Sequence, residues 1–150
     1  MKSRRSAAST LFVAEPRPLY TERSPLVVDC SLLCALLFDE PERDEAAARL
    51  ADRRLMAPNL IDHEIVNVAL KRRRAGWPQD SIALALADYS AYTIELYATD
   101  REQQFALAER YLLSAYDAAY LCLAAELRAP LATFDRKLGD AASRHLGSLE

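Results

Sequence analysis

The sequence predicts an α/β fold in which a mainly parallel central sheet is flanked by helices. Short apolar runs alternate along the chain with amphipathic helical segments, which is typical of parallel strands joined by crossover helices. The first such run is PLVVD, residues 25–29. Its unbroken hydrophobicity and β-branched residues favour a strand that is covered on both faces. A length of 150 residues suits a single domain of this kind.

The other elements follow the first strand in order. Helices are predicted over SLLCALLF and ERDEAAARLADRRL, and a short strand over MAP. The best-marked helix is NLIDHEIVNVALKRRRAG, which we expect Asn59 to cap and Gly76 to end. A helix, a strand and two helices are then predicted over WPQDSIALALADYSA, YTIELY, DREQQFALAERYL and SAYDAAYLCLAAELR. The strand PLATFD and the helix RKLGDAASRHL complete the domain.

Residues 1–23 differ from the rest, and we predict a short flexible arm there, in front of a domain that spans residues 24–150. The arm is basic at its start and has no sustained periodicity. Its apolar stretch LFVA is too short for a signal-peptide core, and no other stretch reaches transmembrane length. We therefore expect a cytoplasmic protein with no membrane partner.

Composition excludes several kinds of functional site. With only three glycines, the chain cannot form a dinucleotide-binding or P-loop glycine motif. The two histidines and three cysteines lack the spacing of zinc ligands, and the cysteines lie in apolar runs typical of reduced core residues. The net charge of -3 gives no overall attraction for nucleic acid, so a nucleic-acid partner would need a local basic patch.

Carboxylates follow the two best-marked strands. Asp29 ends LVVD and Asp135 ends LATFD, and ligands of an open α/β sheet bind off the carboxyl ends of its strands. Asp117 opens the helix that leads into the second of these strands, and Glu64 lies one turn into the best-marked helix. Close carboxylates raise one another's pKa unless a cation lies between them. Mg²⁺ or Mn²⁺ suits that position, because these ions prefer oxygen ligands.

Each of these acids except Glu64 also has a purely structural explanation. Asp29 and Asp135 could cap the helices that follow them, and Ser114 with Asp117 matches a capping box. Taken together, however, the carboxylates need a joint explanation, because they follow both of the best-marked strands.

Glu64 is the acid least easily explained by local structure. It shares a helical stripe with Asn67 beside an apolar face, where buried polar groups without partners cost free energy. A metal site and the hydrogen bonds that orient it would be such partners. Asp62 and Asp140 are weaker candidates. Asp62 suits the first turn of its helix, where the helix dipole favours an acid, and Asp140 would either face solvent or contact the metal ligands without binding the metal.

Three sequence blocks resemble those of PIN-domain ribonucleases, specifically the VapC-type toxins of bacterial toxin–antitoxin pairs. The blocks are PLVVDCSLLCALLF, APNLIDHEIVNVALKRRRAG and LSAYDAAYLCLAAELRAPLATFDRKL. They occur in the order of the family, from about Pro25 to the C-terminus, and EIVNV and SAYDAAYLCLA together are quite specific. The first 24 residues lie outside the family pattern.

The resemblance implies a Mg²⁺- or Mn²⁺-dependent endoribonuclease that cleaves RNA, forms a homodimer and is inhibited by a cognate antitoxin. By motif match, the catalytic and metal-binding acids are Asp29, Glu64, Asp117 and Asp135. Ser31 and Thr133 match the hydroxyls that support the site, and Asn67 matches the amide that follows the glutamate. Metal-activated water as the nucleophile would leave a 5′-phosphate and a 3′-hydroxyl.

The run KRRRAGW is the densest basic segment of the domain and a candidate for binding RNA phosphates. Its cations are Lys71, Arg72, Arg73 and Arg74, and Arg53, Arg54, Arg136 and Lys137 could extend it. The helix dipole explains cations at a helix C-terminus equally well. We interpret Tyr116 and Tyr120, one turn apart, as core or dimer packing ahead of base stacking.

Other functions fit the sequence less well. A phosphatase with an aspartate nucleophile usually has a second acid two residues further on, where this chain has Ser31. A phospho-accepting receiver domain needs adjacent acids, which the sequence lacks before Asp29. The alternative from another class is a catalytically silent PIN-like module that acts by binding protein or RNA.

Overall fold

A computed structural model describes residues 23–149, so nearly all of the predicted arm lies outside the described residues. The order of strands and helices agrees with the predicted order. The elements are β1 (Ser24–Val28), α1 (Cys30–Leu37), α2 (Arg43–Leu50), β2 (Arg53–Pro58), α3 (Ile61–Arg74), α4 (Gln79–Ala91), β3 (Ile94–Tyr97), α5 (Arg101–Tyr111), α6 (Ala115–Leu127), β4 (Leu131–Ala132) and α7 (Arg136–Leu146).

The four strands form one parallel sheet in the order β3-β2-β1-β4. The predicted α/β fold with a parallel sheet is therefore confirmed. Val28 pairs with Ala132, so the carboxyl ends of β1 and β4 are neighbours. β1 is an inner strand, and its last three residues are buried, which explains the unbroken apolar run seen in the sequence.

β2 is longer and α2 is shorter than the sequence pattern suggested. The helix ends at Leu50, and Asp52 then adopts a left-handed conformation with φ 56° that turns the chain. Arg53 and Arg54 consequently pair with β1 instead of continuing the helix. Conversely, β4 is only two residues long, because the chain beyond Ala132 bends into a hydrogen-bonded turn.

Both ends of α3 were predicted from capping signals, and one of the two predictions was wrong. Leu60 is the N-cap and makes no side-chain cap bond. The backbone N–H of Asn59 instead donates to the carbonyl of Tyr97 at 2.9 Å, so Asn59 extends the contact between β2 and β3. The C-terminal prediction is confirmed, since Gly76 follows the helix with φ 98°, a conformation that favours glycine.

The core is centred on α6, in which residues 118–124 are all buried. This helix packs against β1 and β2 on one side and lies between α5 and α7. Of the three cysteines, Cys34 and Cys122 are buried and Cys30 is partly buried, and all three are free thiols as predicted. Within residues 23–149, the helices are too short or too polar to cross a membrane.

Candidate active site

Asp29 lies at the carboxyl end of β1 and is the one polar or charged residue that is buried within the described part of the chain, with 5% of its surface exposed. Its carboxylate accepts hydrogen bonds from the Ser31 hydroxyl at 2.7 Å and the Thr133 hydroxyl at 2.6 Å. It also accepts the Leu32 N–H at 3.1 Å, which caps α1. Asp29 is therefore both a helix cap and a buried carboxylate with three donors.

The two hydroxyls fix the junction after β1 to the junction after β4. The Ser31 oxygen accepts the N–H of Phe134 at 2.9 Å, and the Thr133 oxygen accepts the N–H of Asp135 at 2.9 Å. Each hydroxyl thus gives its proton to Asp29 and accepts a backbone proton, so its orientation is determined. The chain after β4 therefore forms this turn rather than a longer strand.

Asp135 lies beside Asp29 but faces solvent. Its carboxylate caps α7 by accepting the Leu138 N–H at 2.8 Å. Burial raises the pKa of Asp29 above its ordinary value, the three hydrogen bonds oppose this increase, and the charge of Asp135 adds to it. The two carboxylates that follow β1 and β4 are therefore close enough to interact electrostatically.

Glu64 and Asp117 supply the other side of the site. Glu64 lies in the first turn of α3 and is partly buried, and the Tyr120 hydroxyl donates a short hydrogen bond to its carboxylate. Burial raises the pKa of Glu64, and the charges of Asp117 and Asp29 raise it further. Asp117 lies in the first turn of α6, where Ser114 caps the helix. All four motif acids are thus linked electrostatically at one edge of the sheet.

Tyr120 is a site residue that the sequence pattern did not identify. Its ring is buried in the core with 1% of the residue exposed, as the interpretation as core packing expected. Its hydroxyl, however, donates to Glu64, which that interpretation did not include. Two signals were available: Tyr120 follows Asp117 by three residues on one helix face, and a buried tyrosine hydroxyl generally needs a partner. Tyr116, one turn earlier, is 63% exposed and lies outside this network.

The basic run lies away from the acids, whereas Asn67 follows Glu64 by three residues on the same side of α3. Asn67 is exposed on α3, outside the hydrogen bonds of Asp29 and Glu64. The run from Lys71 to Arg74 ends the same helix, about 10–15 Å along its axis from Glu64. The structure therefore does not bring the cations of this run together with the acidic edge, and Asn67 lies one turn from Glu64 without a hydrogen bond to it.

Arg72 is engaged inside the fold. Its guanidinium lies 4.5 Å from the centre of the Phe38 ring and 4.7 Å from that of the Trp77 ring, and it forms an ion pair with Glu40. Arg73 bonds to Gln79 and to the carbonyl of Trp77. These contacts show a packing role for part of the basic run.

The other candidate phosphate contacts divide between the two edges of the sheet. Arg53 and Arg54 begin β2 and therefore lie at the amino edge, opposite the acids, where Arg54 pairs with Glu95 at 2.9 Å. Arg136 and Lys137 begin α7 directly after Asp135 and lie at the acidic edge. Of the predicted cations, these two are the best placed to meet a substrate at the acids.

The four acids offer the oxygen ligands that Mg²⁺ and Mn²⁺ prefer, and the raised pKa values of Asp29 and Glu64 are what a bound cation would offset. Among residues 23–149, however, no three His, Cys, Asp or Glu side chains are grouped closely enough to hold a metal ion. The donor chemistry fits a hard divalent cation, whereas the side-chain positions do not form a complete coordination shell.

Comparison with known proteins agrees with the fold and the motifs. A family model described as the PIN domain matches residues 26–143, which include all four acids. Ribonuclease VapC3 of Pyrobaculum aerophilum is 33% identical over 122 residues, covering 77% of this chain and 92% of the relative.

Two solved structures share the fold. The crystal structure of PAE2754 from Pyrobaculum aerophilum has a TM-score of 0.63 at 21% identity, covering 86% of this chain and 93% of that one. Mycobacterium tuberculosis VapC20, described as a toxin that cleaves the sarcin-ricin loop, has a TM-score of 0.56 at 17% identity, covering 77% and 94%. At these identities the likeness shows the fold alone.

Proposed function

This chain belongs to the PIN-domain family, and we propose on that basis that it is a metal-dependent endoribonuclease, the toxin of a toxin–antitoxin pair. The observation that carries the proposal is the buried carboxylate of Asp29, held by Ser31 and Thr133 beside further acids. A buried acid whose pKa is raised by burial and by like charges is characteristic of functional sites. The identity to a ribonuclease across most of both chains supports the same conclusion.

Each acid has a role in this proposal. Asp29, Asp117 and Asp135 would hold Mg²⁺ or Mn²⁺ either directly or through water ligands of the cation, and Glu64 would complete the set or accept a proton from the attacking water. When bound, such a cation supplies Lewis-acid stabilisation and lowers the pKa of a water ligand. Ser31 and Thr133 orient the Asp29 carboxylate, and Tyr120 orients that of Glu64. The products are a 5′-phosphate and a 3′-hydroxyl.

We also propose two protein partners, a second copy of this chain and a cognate antitoxin. Large apolar side chains are exposed on several helices, and extensive exposed apolar surface is typical of interaction sites. These exposed side chains include Val66, Leu70, Leu84, Phe105 and Tyr116.

The three free cysteines are consistent with the cytoplasmic location that we propose for the protein.

The alternative is a catalytically silent module that binds RNA or protein. Such a module needs only a surface that binds RNA or protein, so binding that is retained without any cleavage would identify it.

Cleavage of a total RNA pool by the purified protein tests the proposal. The assay compares Mg²⁺, Mn²⁺ and excess chelator, beside the Asp29→Asn/Asp117→Asn variant. As a matched control, Asp44→Asn/Asp88→Asn makes the same charge change at two exposed acids. We expect metal-dependent cleavage that only the first variant loses, with 5′-phosphate ends.

Fragments with 2′,3′-cyclic phosphate ends would rule out the proposed mechanism. No cleavage with any metal, from folded protein free of antitoxin, would favour the silent module.

A further inference from the structure

A basic cavity beside the acidic edge is separate from the candidate active site. Its volume is about 270 Å³, and it lies between the end of α5 and one side of α7. The lining residues that matter for its chemistry are Arg110, Tyr111, Leu112, Lys137, Asp140 and Arg144.

The cavity is positively charged although the chain as a whole carries a net charge of -3. Three cations, Arg110, Lys137 and Arg144, line it against the one carboxylate of Asp140, and all four side chains belong to exposed residues. The ion pairs found within residues 23–149 involve other side chains. The positive charge is thus available to an anion from solvent.

Two residues that line the cavity are close in sequence to two of the four acids. Lys137 lies two residues after Asp135 in the first turn of α7. Leu112 lies two residues before Ser114, which caps the helix that carries Asp117. A polyanion bound at the acids can therefore extend into this cavity, whereas at the basic end of α3 the side chains of Arg72 and Arg73 are engaged in contacts within the fold.

Contacts between α5 and α7 hold the walls in place. The Tyr111 hydroxyl hydrogen-bonds with His145 Nδ1 at 3.1 Å, and the two rings meet edge to face. The Arg110 guanidinium lies 5.3 Å from the centre of the Tyr111 ring. Arg110 therefore packs on a tyrosine that is itself held between the two helices by its contact with His145.

Leu112 adds an apolar surface at the rim. It is 76% exposed and has φ 55°, a left-handed conformation that is unfavourable for a leucine. The three cations can bind the phosphate of a nucleotide, and the apolar side chain of Leu112 beside them can contact its base.

We propose that this cavity is a subsite for single-stranded RNA, which binds a phosphate neighbouring the cleaved one through Arg110, Lys137 and Arg144. Leu112 contacts the attached base. The inference rests on the proposed nuclease function and adds where the substrate strand runs, namely along α7 rather than along the basic end of α3.

Binding of a fluorescent single-stranded RNA oligonucleotide tests the subsite, with Asp29→Asn present in every protein to prevent cleavage. The test variant is Arg110→Ala/Arg144→Ala, and Arg73→Ala/Arg74→Ala is the control with the same charge change. We expect the test variant to weaken binding about 10-fold near physiological salt and to reduce the slope of log K against log salt by about 1.4, the value for two lost contacts to a single strand. The control should change affinity less than twofold.

Cleavage kinetics without the Asp29 substitution separate the possible failures. The subsite predicts a raised KM with kcat little changed, because the contacts bind ground and transition states alike. If the unsubstituted protein cleaves RNA and the two double variants behave alike, or the control loses more affinity, the subsite is wrong and the nuclease stands. If the unsubstituted protein neither binds nor cleaves RNA, both proposals fail.

Discussion

At the scale of single residues, Asp29 combines a proposed catalytic role with an unfavourable environment for its charge. Because burial raises its pKa in the folded state, the folded protein holds this proton more tightly than the unfolded chain does. The contribution of Asp29 to stability is therefore most favourable at low pH. It declines as the pH rises from the ordinary carboxyl pKa of 3.8 through the folded value.

Asp29→Asn should consequently separate stability from activity. In metal-free buffer, we expect the variant to be more stable than the unsubstituted protein above this pH window and to lose the difference below it. RNA cleavage should fall by at least about 100-fold, because a proposed metal ligand is lost. Urea unfolding between pH 4 and 8 measures the first effect, and identical pH profiles for the two proteins would contradict it. Asp88→Asn, at an exposed acid, provides the control.

Tyr120 should act through Glu64. Its hydrogen bond lowers the pKa of Glu64 and fixes one carboxylate oxygen. We expect Tyr120→Phe to reduce Mn²⁺ affinity and RNA cleavage by about 10–100-fold, as for other partners that orient metal ligands. Tyr116→Phe removes the same hydroxyl one turn away at an exposed position and should change neither. Calorimetric Mn²⁺ titration and cleavage assays check this, and equal behaviour of the two variants would refute the positioning role.

At the scale of secondary-structure elements, the sequence posed helix capping and a shared acidic site as alternatives for these aspartates, and the structure shows that the same residues cap helices and lie at one edge with the other acids. Asp29 and Asp135 each accept the N–H three residues further on and so begin α1 and α7. Ser114 does the same for α6. The reason is geometric, since the carboxyl edge of a parallel sheet is also where its helices begin.

The end of α3 carries a separate prediction about stability. Arg72 is held between Phe38 and Trp77 and pairs with Glu40, so it links α3 to the end of α1. Arg72→Ala should lower the free energy of unfolding by about 2 kcal/mol, through lost cation–π contacts and a half-buried carboxylate left unpaired. Arg74→Ala, at the exposed neighbouring position, should cost less than about 0.5 kcal/mol. Urea unfolding measures the stability of both variants. Equal unfolding midpoints for the two variants would show that the contacts of Arg72 do not stabilise the fold.

At the scale of the whole molecule, the outer side of α3 supports the proposed homodimer. Val66 and Leu70 are 48% and 45% exposed and lie one turn apart, while Ile61, Ile65 and Ala69 bury the other side of the helix. An apolar pair that faces outward from a helix whose opposite side is buried is suited to a partner surface.

Val66→Glu/Leu70→Glu should therefore convert a dimer into a folded monomer. Ala47→Glu/Ala48→Glu adds the same charge at exposed positions of α2 and should leave the dimer intact. Sedimentation equilibrium measures the mass, and circular dichroism checks that both variants fold. A monomeric unsubstituted protein, or a dimer that survives the α3 changes, would exclude this interface.

The amino-acid sequence alone was enough to predict the order of strands and helices and the single domain, and it singled out four acids that the structure brings to one edge of the sheet. These features depend on local signals, such as hydrophobic period, strand-end residues and short motifs, which act within a few residues. The errors were local as well, at Asn59 and at the boundary of α2, where pairing between strands replaced a capping bond and a helical turn.

Which side chains contact one another could not be predicted before the strands and helices were placed in three dimensions. The Thr133 hydroxyl reaches Asp29 across 104 residues because β1 and β4 are neighbours in the sheet. The hydroxyl of Tyr120 meets Glu64 from another helix, and the basic end of α3 points away from the acids. Such contacts depend on the order of the strands and the packing of the helices. These bring together residues that are far apart in the sequence, and no local sequence signal predicts which of them will meet.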